Sequence, residues 1–235
     1  MILDYQLTKY YLGETLFAKI ICKKMSKMVQ SDAIRIAILN KYGGIWIDVD
    51  TIIISKEFLR YFNNSDLSMV MDENTGFQYI SFIYANKNSI ILKDWLKEII
   101  LNVRFFDKVF SNWKTANKTK YLKKKLKAWH YLGNGIIDKL LKNVKNKDYN
   151  GIDYRIIGVF PELTYFKNNA SINVYKAYDL FYFEKGEPQF AINNSKGLIF
   201  LHNSWTISKY KRMTKKRFLK QDILLSKLLS KLLYL

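Results

Sequence analysis

Residues 31–55 have the sequence SDAIRIAILNKYGGIWIDVDTIIIS, and this stretch decides the predicted fold. Ser31 is a favourable helix N-cap and Asp32 complements the positive first turn, while apolar residues recur with helical spacing before the glycines. Gly43 and Gly44 supply the positive φ angles at which a helix ends at little cost. We therefore predict a capped helix, a glycine turn and a buried β-strand.

Two carboxylates interrupt the strand that follows the glycines. The apolar run 45–54 contains Asp48 and Asp50, although acidic residues are poor strand formers and costly to bury. In an extended strand, side chains at positions i and i+2 lie on the same face, so both carboxylates can approach one ligand. Two hard oxygen donors with open coordination positions suit Mg²⁺ or Mn²⁺ bound together with substrate phosphates. A strand-end pair that faces solvent is the competing interpretation.

Asp32 and Arg35 lie three residues apart and share one face of the predicted helix. One interpretation is a surface ion pair of little energetic value. In the other, both residues line the crevice that holds the ligand of Asp48 and Asp50, where Arg35 meets phosphate or Asp32 meets sugar hydroxyls. We favour the second interpretation, because the helix leads into the strand that carries Asp48.

A second candidate segment is HNSW, residues 202–205, which directly follows the apolar residues 197–201. His202 is a candidate third ligand of the same cation through its imidazole, and a hydrogen-bonded structural histidine is the alternative. Trp205 offers an apolar face for a sugar ring or a base. Asn203, between them, is a candidate substrate-binding residue.

The order of patterns along the chain predicts an α/β protein. Helix and strand signals alternate over the first hundred or so residues, as in a layered sheet. We predict a domain at 1–206 with a helical insert at about 105–150, followed by a basic amphipathic helical tail at 207–235. A helix is predicted at 121–129 and an amphipathic helix capped by Ser89. Further strands are predicted at 1–4, 67–71, 76–85, 153–160, 177–183 and 197–201.

Composition and charge restrict the class of protein. Of the 39 basic residues behind the net charge of +19, 33 are lysines, whereas base readout favours arginine. A basic nucleic-acid-binding protein is therefore the less favoured hypothesis, and we expect attraction to nucleotide phosphates or anionic lipid. The single cysteine, Cys22, excludes an internal disulfide framework. With no export signal and no membrane-spanning run, we expect a cytoplasmic protein, soluble or peripheral on the inner face of the membrane.

The tail has two interpretations of its own. Its apolar residues form a stripe at helical spacing, with lysines away from the stripe. A helix packed on the domain is the preferred interpretation. A helix that lies on the membrane surface is the alternative.

The central stretch carries a resemblance to a known family. SDAIRIAILNKYGGIWIDVD is similar to the signature of glycosyltransferases whose sugar-binding region contains the DXD motif, in particular to their capsular polysaccharide synthesis group. The segment LHNSWT at 201–206 resembles the closing His-x-Ser-Trp segment of the same enzymes. The positions of the signature that this chain matches are Ser31, Asp32, Arg35, Tyr42, Gly43, Gly44, Asp48 and Asp50.

This resemblance implies a nucleotide-diphospho-sugar transferase sheet of the GT-A type and a hexosyltransferase activity that depends on Mn²⁺ or Mg²⁺. The donor would be a nucleotide sugar, above all a UDP-sugar, and the acceptor a surface or capsular glycan or a lipid-linked glycan. Asp48, Asp50 and His202 would surround the metal and the diphosphate, and Asp32 and Arg35 would line the donor site.

One departure from the family pattern concerns the N-terminus. Such enzymes open with a βαβ unit that holds the nucleotide base, whereas only 30 residues precede Ser31 here. We therefore expect a sheet that is short at its N-terminal end. The alternative function is a truncated, non-catalytic remnant or binding module built on the same scaffold.

Overall fold

The computed structural model describes residues 4–22, 27–62, 65–111, 132–142, 148–167, 172–202 and 205–233. The chain forms two compact units, each built from two segments. The chain passes from the first unit to the second between Ile47 and Asp48, inside the stretch that decided the predicted fold. The predicted boundary at 206 and 207 does not coincide with this division. The first unit comprises residues 1–47 and 62–152, and the second comprises residues 48–61 and 153–235.

The described residues form a mixed α/β structure, as predicted. A π-helical segment, Ala18–Cys22, follows the first helix, and a 3₁₀ helix, Glu57–Tyr61, follows the second strand. The strands are β1 (Gly44–Ile47), β2 (Thr51–Ile53), β3 (Leu67–Asp72), β4 (Phe77–Ala85), β5 (Tyr149–Asp153) and β6 (Leu198–Phe200). The α-helices are α1 (Tyr5–Phe17, interrupted at Gly13), α2 (Lys27–Tyr42), α3 (Ile90–Ser111), α4 (Asn134–Leu141), α5 (Tyr154–Ile157), α6 (Pro161–Tyr165), α7 (Val174–Tyr182), α8 (Gln189–Asn194), α9 (Ser208–Lys211), α10 (Lys215–Phe218) and α11 (Leu224–Leu233).

A four-stranded sheet with the order β1-β4-β3-β5 forms the frame of the first unit. Strand β4 pairs antiparallel with both β1 and β3. Helices α2, α3 and α4 bury their apolar faces in the same core as this sheet, which includes Ile36, Ile83 and the fully buried Trp95. The predicted cap at Ser89 is confirmed, because its Oγ accepts the Leu92 N–H at 3.1 Å.

The second unit contains a two-stranded antiparallel sheet in which β2 pairs with β6. Its register places Thr51 opposite Phe200 and Ile53 opposite Leu198. The core of this unit includes three aromatic residues of α7 and three leucines of α11, namely Tyr178, Phe181, Tyr182, Leu224, Leu225 and Leu228. The apolar stripe of the tail is therefore packed inside the protein, which confirms the preferred interpretation of that segment.

Of the strand predictions beyond residue 60, three are confirmed and two are wrong. Strands β3, β4 and β6 lie where they were expected. The segment predicted as a strand at 153–160 contains the short helix α5, whose buried residue is Ile157. The segment predicted as a strand at 177–183 is helical up to Tyr182, because its apolar residues meet the core at helical spacing. In α7, Ala177, Tyr178, Phe181 and Tyr182 are the buried residues. The predicted helix at 121–129, and the predicted strand at 1–4 except Asp4, lie outside the described residues.

The start of α2 also differs from the prediction. The helix begins at Lys27, so Ser31 lies inside it and is not its N-cap. The extra turn is stabilised by burial of Val29, which is only 3% exposed. A capping residue favours a helix start, but it does not prevent a helix from beginning earlier when an upstream turn meets the core.

No helix among the residues that the structure describes combines the length and the apolarity needed to cross a membrane.

Candidate functional site

The glycine turn that ends α2 has the predicted backbone. Gly43 and Gly44 have φ angles of 68° and 96°, and the Gly43 N–H donates to the Leu39 carbonyl at 2.7 Å. A Cβ atom at Gly43 would approach the Lys87 backbone nitrogen to 2.5 Å, whereas one at Gly44 would meet nothing within 4 Å. The first glycine is therefore required by both its φ angle and a neighbouring backbone, the second by its φ angle alone.

Asp48 and Asp50 lie in a turn between two strands, and not on one continuous strand as predicted. The Thr51 N–H donates to the Asp48 carbonyl at 3.0 Å, and Val49 at the tip of the turn is 103% exposed. The prediction was wrong because β1 pairs with β4 while β2 pairs with β6, so the chain changes sheets at these residues. Both acidic residues are partly exposed, and one tight turn carries them.

The end of β6 lies beside this turn. The Leu201 N–H donates to the Asp50 carbonyl at 2.9 Å, which extends the pairing of β2 and β6 by one residue. His202, the next residue, is positioned by its own N–H, which donates to the Tyr178 hydroxyl at 3.1 Å. The backbone therefore holds His202 near Asp50, within the second unit.

The His202 side chain lies in an aromatic cluster. Its ring centroid is 3.7 Å from that of Trp205, with an angle of 27° between the planes, and a more distant stack joins it to Phe160. Burial lowers the pKa of His202 to about 4, although the nearby Asp50 carboxylate acts in the opposite direction. The imidazole is therefore neutral at physiological pH. Asn203 lies outside the described residues.

The donor set at the turn fits a divalent cation that shares its coordination with a substrate. Carboxylate oxygens are the ligands that Mg²⁺ and Mn²⁺ prefer, and Mg²⁺ is commonly held by one or two carboxylates plus substrate phosphates. Asp48 and Asp50 provide two such groups in a partly exposed turn. Within the described part of the chain, no three His, Cys, Asp or Glu side chains come together as a group that could hold a metal ion. The role of His202 as a third ligand stays a prediction.

Asp32 and Arg35 form an ion pair inside the first unit. Arg35 Nη2 lies 3.3 Å from Asp32 Oδ1, and the two residues are 5% and 4% exposed. The guanidinium also donates to the Ile80 carbonyl and lies over the Trp46 ring at 5.3 Å. The interpretation as a surface ion pair is therefore wrong. Their place in a donor site stays a prediction.

Sequence reasoning missed a buried carboxyl group in the second unit. Glu162 is fully buried, and the Tyr182 hydroxyl donates to its Oε2 at 3.2 Å. Burial raises the pKa of Glu162 to about 8. The flanking sequence FPELTYF offered one signal, since a single acidic residue among aromatic neighbours has few ways to remain solvated.

Comparison with known proteins identifies the family of this chain. A family model described as capsular polysaccharide synthesis protein matches residues 6–184, which are most of the sequence. The match includes Asp32, Arg35, Asp48 and Asp50 and ends before His202. No curated protein matches the chain. The chain belongs to the capsular polysaccharide synthesis protein family.

Proposed function

We propose that this protein is a metal-dependent glycosyltransferase of the hexosyltransferase type. It would move a sugar from a UDP-sugar to a capsular or other surface polysaccharide, or to a lipid-linked acceptor. Family membership supports a role in capsule biosynthesis. The observation that carries the proposal is the pair Asp48 and Asp50, which the fold presents in one partly exposed turn. We also propose that the sheet of this protein is of the GT-A type.

Asp48 and Asp50 would hold Mn²⁺ or Mg²⁺ together with the diphosphate of the donor. Two carboxylates leave several coordination positions open for phosphate oxygens. A cation bound there would neutralise the negative charge that develops on the departing diphosphate. The turn itself is fixed at both ends by backbone hydrogen bonds, from Thr51 to Asp48 and from Leu201 to Asp50.

The neighbouring residues of the second unit would form a rigid wall of this site. Tyr178 accepts the His202 N–H and its ring meets the Trp205 ring edge-on at 5.6 Å. His202 in turn stacks on Trp205. Side chains locked by such contacts hold a ligand with little loss of conformational entropy. A neutral imidazole at this position can donate or accept one hydrogen bond without repelling a cation.

Asp32 would accept hydrogen bonds from sugar hydroxyls of the donor, which is its predicted role. Arg35 would keep the Asp32 carboxylate in one orientation, since its guanidinium is held by the Ile80 carbonyl as well as by Asp32. The direct contact of Arg35 with phosphate, which the sequence also suggested, remains part of the prediction for this site.

The test compares Asp48→Asn and Asp50→Asn with the unchanged protein in a UDP-sugar turnover assay, with and without Mn²⁺. We expect each substitution to lower turnover at least about a hundred-fold, because loss of one electrostatic contact to a developing charge has that order of effect. Mn²⁺ binding in the presence of UDP, measured by electron paramagnetic resonance, should weaken in parallel. Asp94→Asn is the matched control, because Asp94 lies on α3 in an exposed ion pair with Lys97.

Turnover that needs no metal and is unchanged by both substitutions would contradict the proposal. The alternative candidate is a binding module that recognises a UDP-sugar without turnover. Tight binding of UDP-sugar with no transfer and no hydrolysis would support that candidate instead.

A further inference from the structure

Seven basic residues crowd a short segment between the candidate site and the last helix. We name this set the basic ridge, and all of its members are exposed. It extends over α9, α10 and the residues around them. Its members are Lys209, Lys211, Arg212, Lys215, Lys216, Arg217 and Lys220.

The charge of the basic ridge is not balanced locally. No acidic residue occurs in the sequence from 205 to 221. Among the described residues, no carboxylate lies within ion-pair distance of a ridge side chain, whereas Lys227 on α11 pairs with Asp222 at 3.1 Å and with Glu187 at 3.5 Å. Like charges this close repel one another, so a compensating anionic partner would lower their free energy.

The segment that carries the basic ridge packs against the core of the second unit. Tyr210 is buried and stacks on Phe183 with ring centroids 5.0 Å apart. Phe218 packs against the same core, and its carbonyl accepts the Ser226 hydroxyl at 2.7 Å. The apolar side chains of this segment thus pack against the core, while its cations remain exposed.

The chemistry of the ridge favours a diffuse anionic surface over a single small anion. Five of its seven cations are lysines, which are hydrated point charges and do not supply the bidentate geometry of arginine. A single-stranded nucleic acid is bound through exposed aromatic side chains as well as cations, and the two aromatic residues of the segment 209–220, Tyr210 and Phe218, pack against the core. Clusters of four to eight Lys or Arg residues are typical of surfaces that bind acidic phospholipids.

We propose that the basic ridge docks the protein on an anionic phospholipid bilayer by charge alone, without insertion. The apolar stripe of α11 is packed in the core of the second unit, so it is not available to enter the lipid. Binding should therefore weaken strongly with salt, because the Debye length falls from about 10 Å at 0.1 M to about 3 Å at 1 M. This inference is independent of the proposed transferase activity.

The test measures co-sedimentation of the full chain with vesicles of phosphatidylcholine, with and without about a third of phosphatidylglycerol. The protein should bind the anionic vesicles, and binding should be lost in 1 M NaCl. The triple variant Lys215→Glu, Lys216→Glu and Arg217→Glu should bind at least roughly a hundred-fold more weakly, because the loss of each positive charge alone costs about five-fold. The control variant, Lys56→Glu, Lys87→Glu and Lys93→Glu, changes the net charge equally at exposed residues elsewhere and should retain binding.

Three outcomes would overturn the inference. One is an equal loss of binding in the ridge and control variants, which would reduce the effect to net charge. Another is equal binding to pure phosphatidylcholine vesicles. The third is tighter, ridge-dependent binding to duplex DNA or to hyaluronate at the same concentration of negative charge. A neutral variant, Lys209→Gln, Lys211→Gln and Arg212→Gln, with unchanged circular dichroism, should also bind more weakly, which separates loss of the surface from misfolding.

Discussion

Asp32 and Asp50 belong to the same short motif, yet the fold treats them in opposite ways. Asp32 is 4% exposed and paired with Arg35 inside the first unit. Asp50 lies in a partly exposed turn of the second unit, held by its backbone carbonyl. Loss of the Asp32 carboxylate would leave the buried Arg35 cation without its partner. Loss of the Asp50 carboxylate would change only a partly exposed turn. A contiguous motif therefore contains one buried, paired acidic residue and one partly exposed acidic residue.

The largest expected effect is a difference in stability between a variant of the buried Asp32 and a variant of Asp48, which shares the partly exposed turn with Asp50. Asp32→Asn should lower the free energy of unfolding by about 3–5 kcal/mol, because it leaves the buried Arg35 charge without its carboxylate. Asp48→Asn should change that free energy by less than about 1 kcal/mol, because its site is partly exposed. Urea denaturation followed by circular dichroism measures both.

A second substitution sharpens this contrast. Asp32→Asn combined with Arg35→Met should recover part of the lost stability, since an apolar side chain of similar length replaces the stranded cation. Equal stability of the Asp32→Asn and Asp48→Asn variants would contradict this contrast. It would show that the buried Asp32–Arg35 pair contributes little to the free energy of unfolding.

The next largest effect on stability is expected at Gly43 and Gly44, which lie in the chain between Asp32 and the turn that carries Asp50. Gly43→Ala should cost about 2–3 kcal/mol, because the new Cβ meets the Lys87 backbone nitrogen at 2.5 Å in addition to the strain of a positive φ. Gly44→Ala should cost about 1 kcal/mol, the strain alone, since nothing lies within 4 Å of its Cβ. Thermal unfolding of the two variants tests the difference, and equal losses would show that the close contact relaxes freely.

A pH-dependent effect is expected at Glu162, a buried acid in the second unit that resembles Asp32 in burial but has no cation partner among the described residues. Its pKa of about 8 in the folded state lies above the ordinary value of 4.5. Its contribution to stability is therefore complete below pH 4.5 and declines as the pH rises towards 8, by up to about 1.4 kcal/mol per pH unit. Above pH 8 the decline ends, because the group is then ionised in both states.

Glu162→Gln removes this ionisation while it preserves an acceptor for the Tyr182 hydroxyl. The difference in unfolding free energy between the unchanged protein and this variant should therefore vary between pH 5 and pH 8 and be constant above that range. A difference that is independent of pH would mean that Glu162 is solvated or paired in the folded protein.

Sequence reasoning was correct for features that depend only on neighbouring residues in the chain. The glycine turn at Gly43 and Gly44, the cap at Ser89 and the strands β3, β4 and β6 follow from backbone preference and apolar pattern. The start of α2 was missed because burial of Val29 overrides local preference. The helix α7 was missed because burial of Tyr178, Phe181 and Tyr182 does the same.

The candidate site shows the same division. The sequence identified Asp48, Asp50, Asp32 and Arg35, and the family match covers all four. It did not identify Glu162 or the contact of Tyr178 with His202, because these depend on residues far apart in the chain.

The sequence by itself determined the family, the α/β class and the acidic residues of the motif, because each depends on residue types at short spacing. The tertiary structure alone decided that Asp48 and Asp50 lie in a turn, that the Asp32–Arg35 pair is buried, and that the tail is anchored in a core with its cations outside. Strand partners and burial are set by long-range packing, and no short stretch of sequence specifies them.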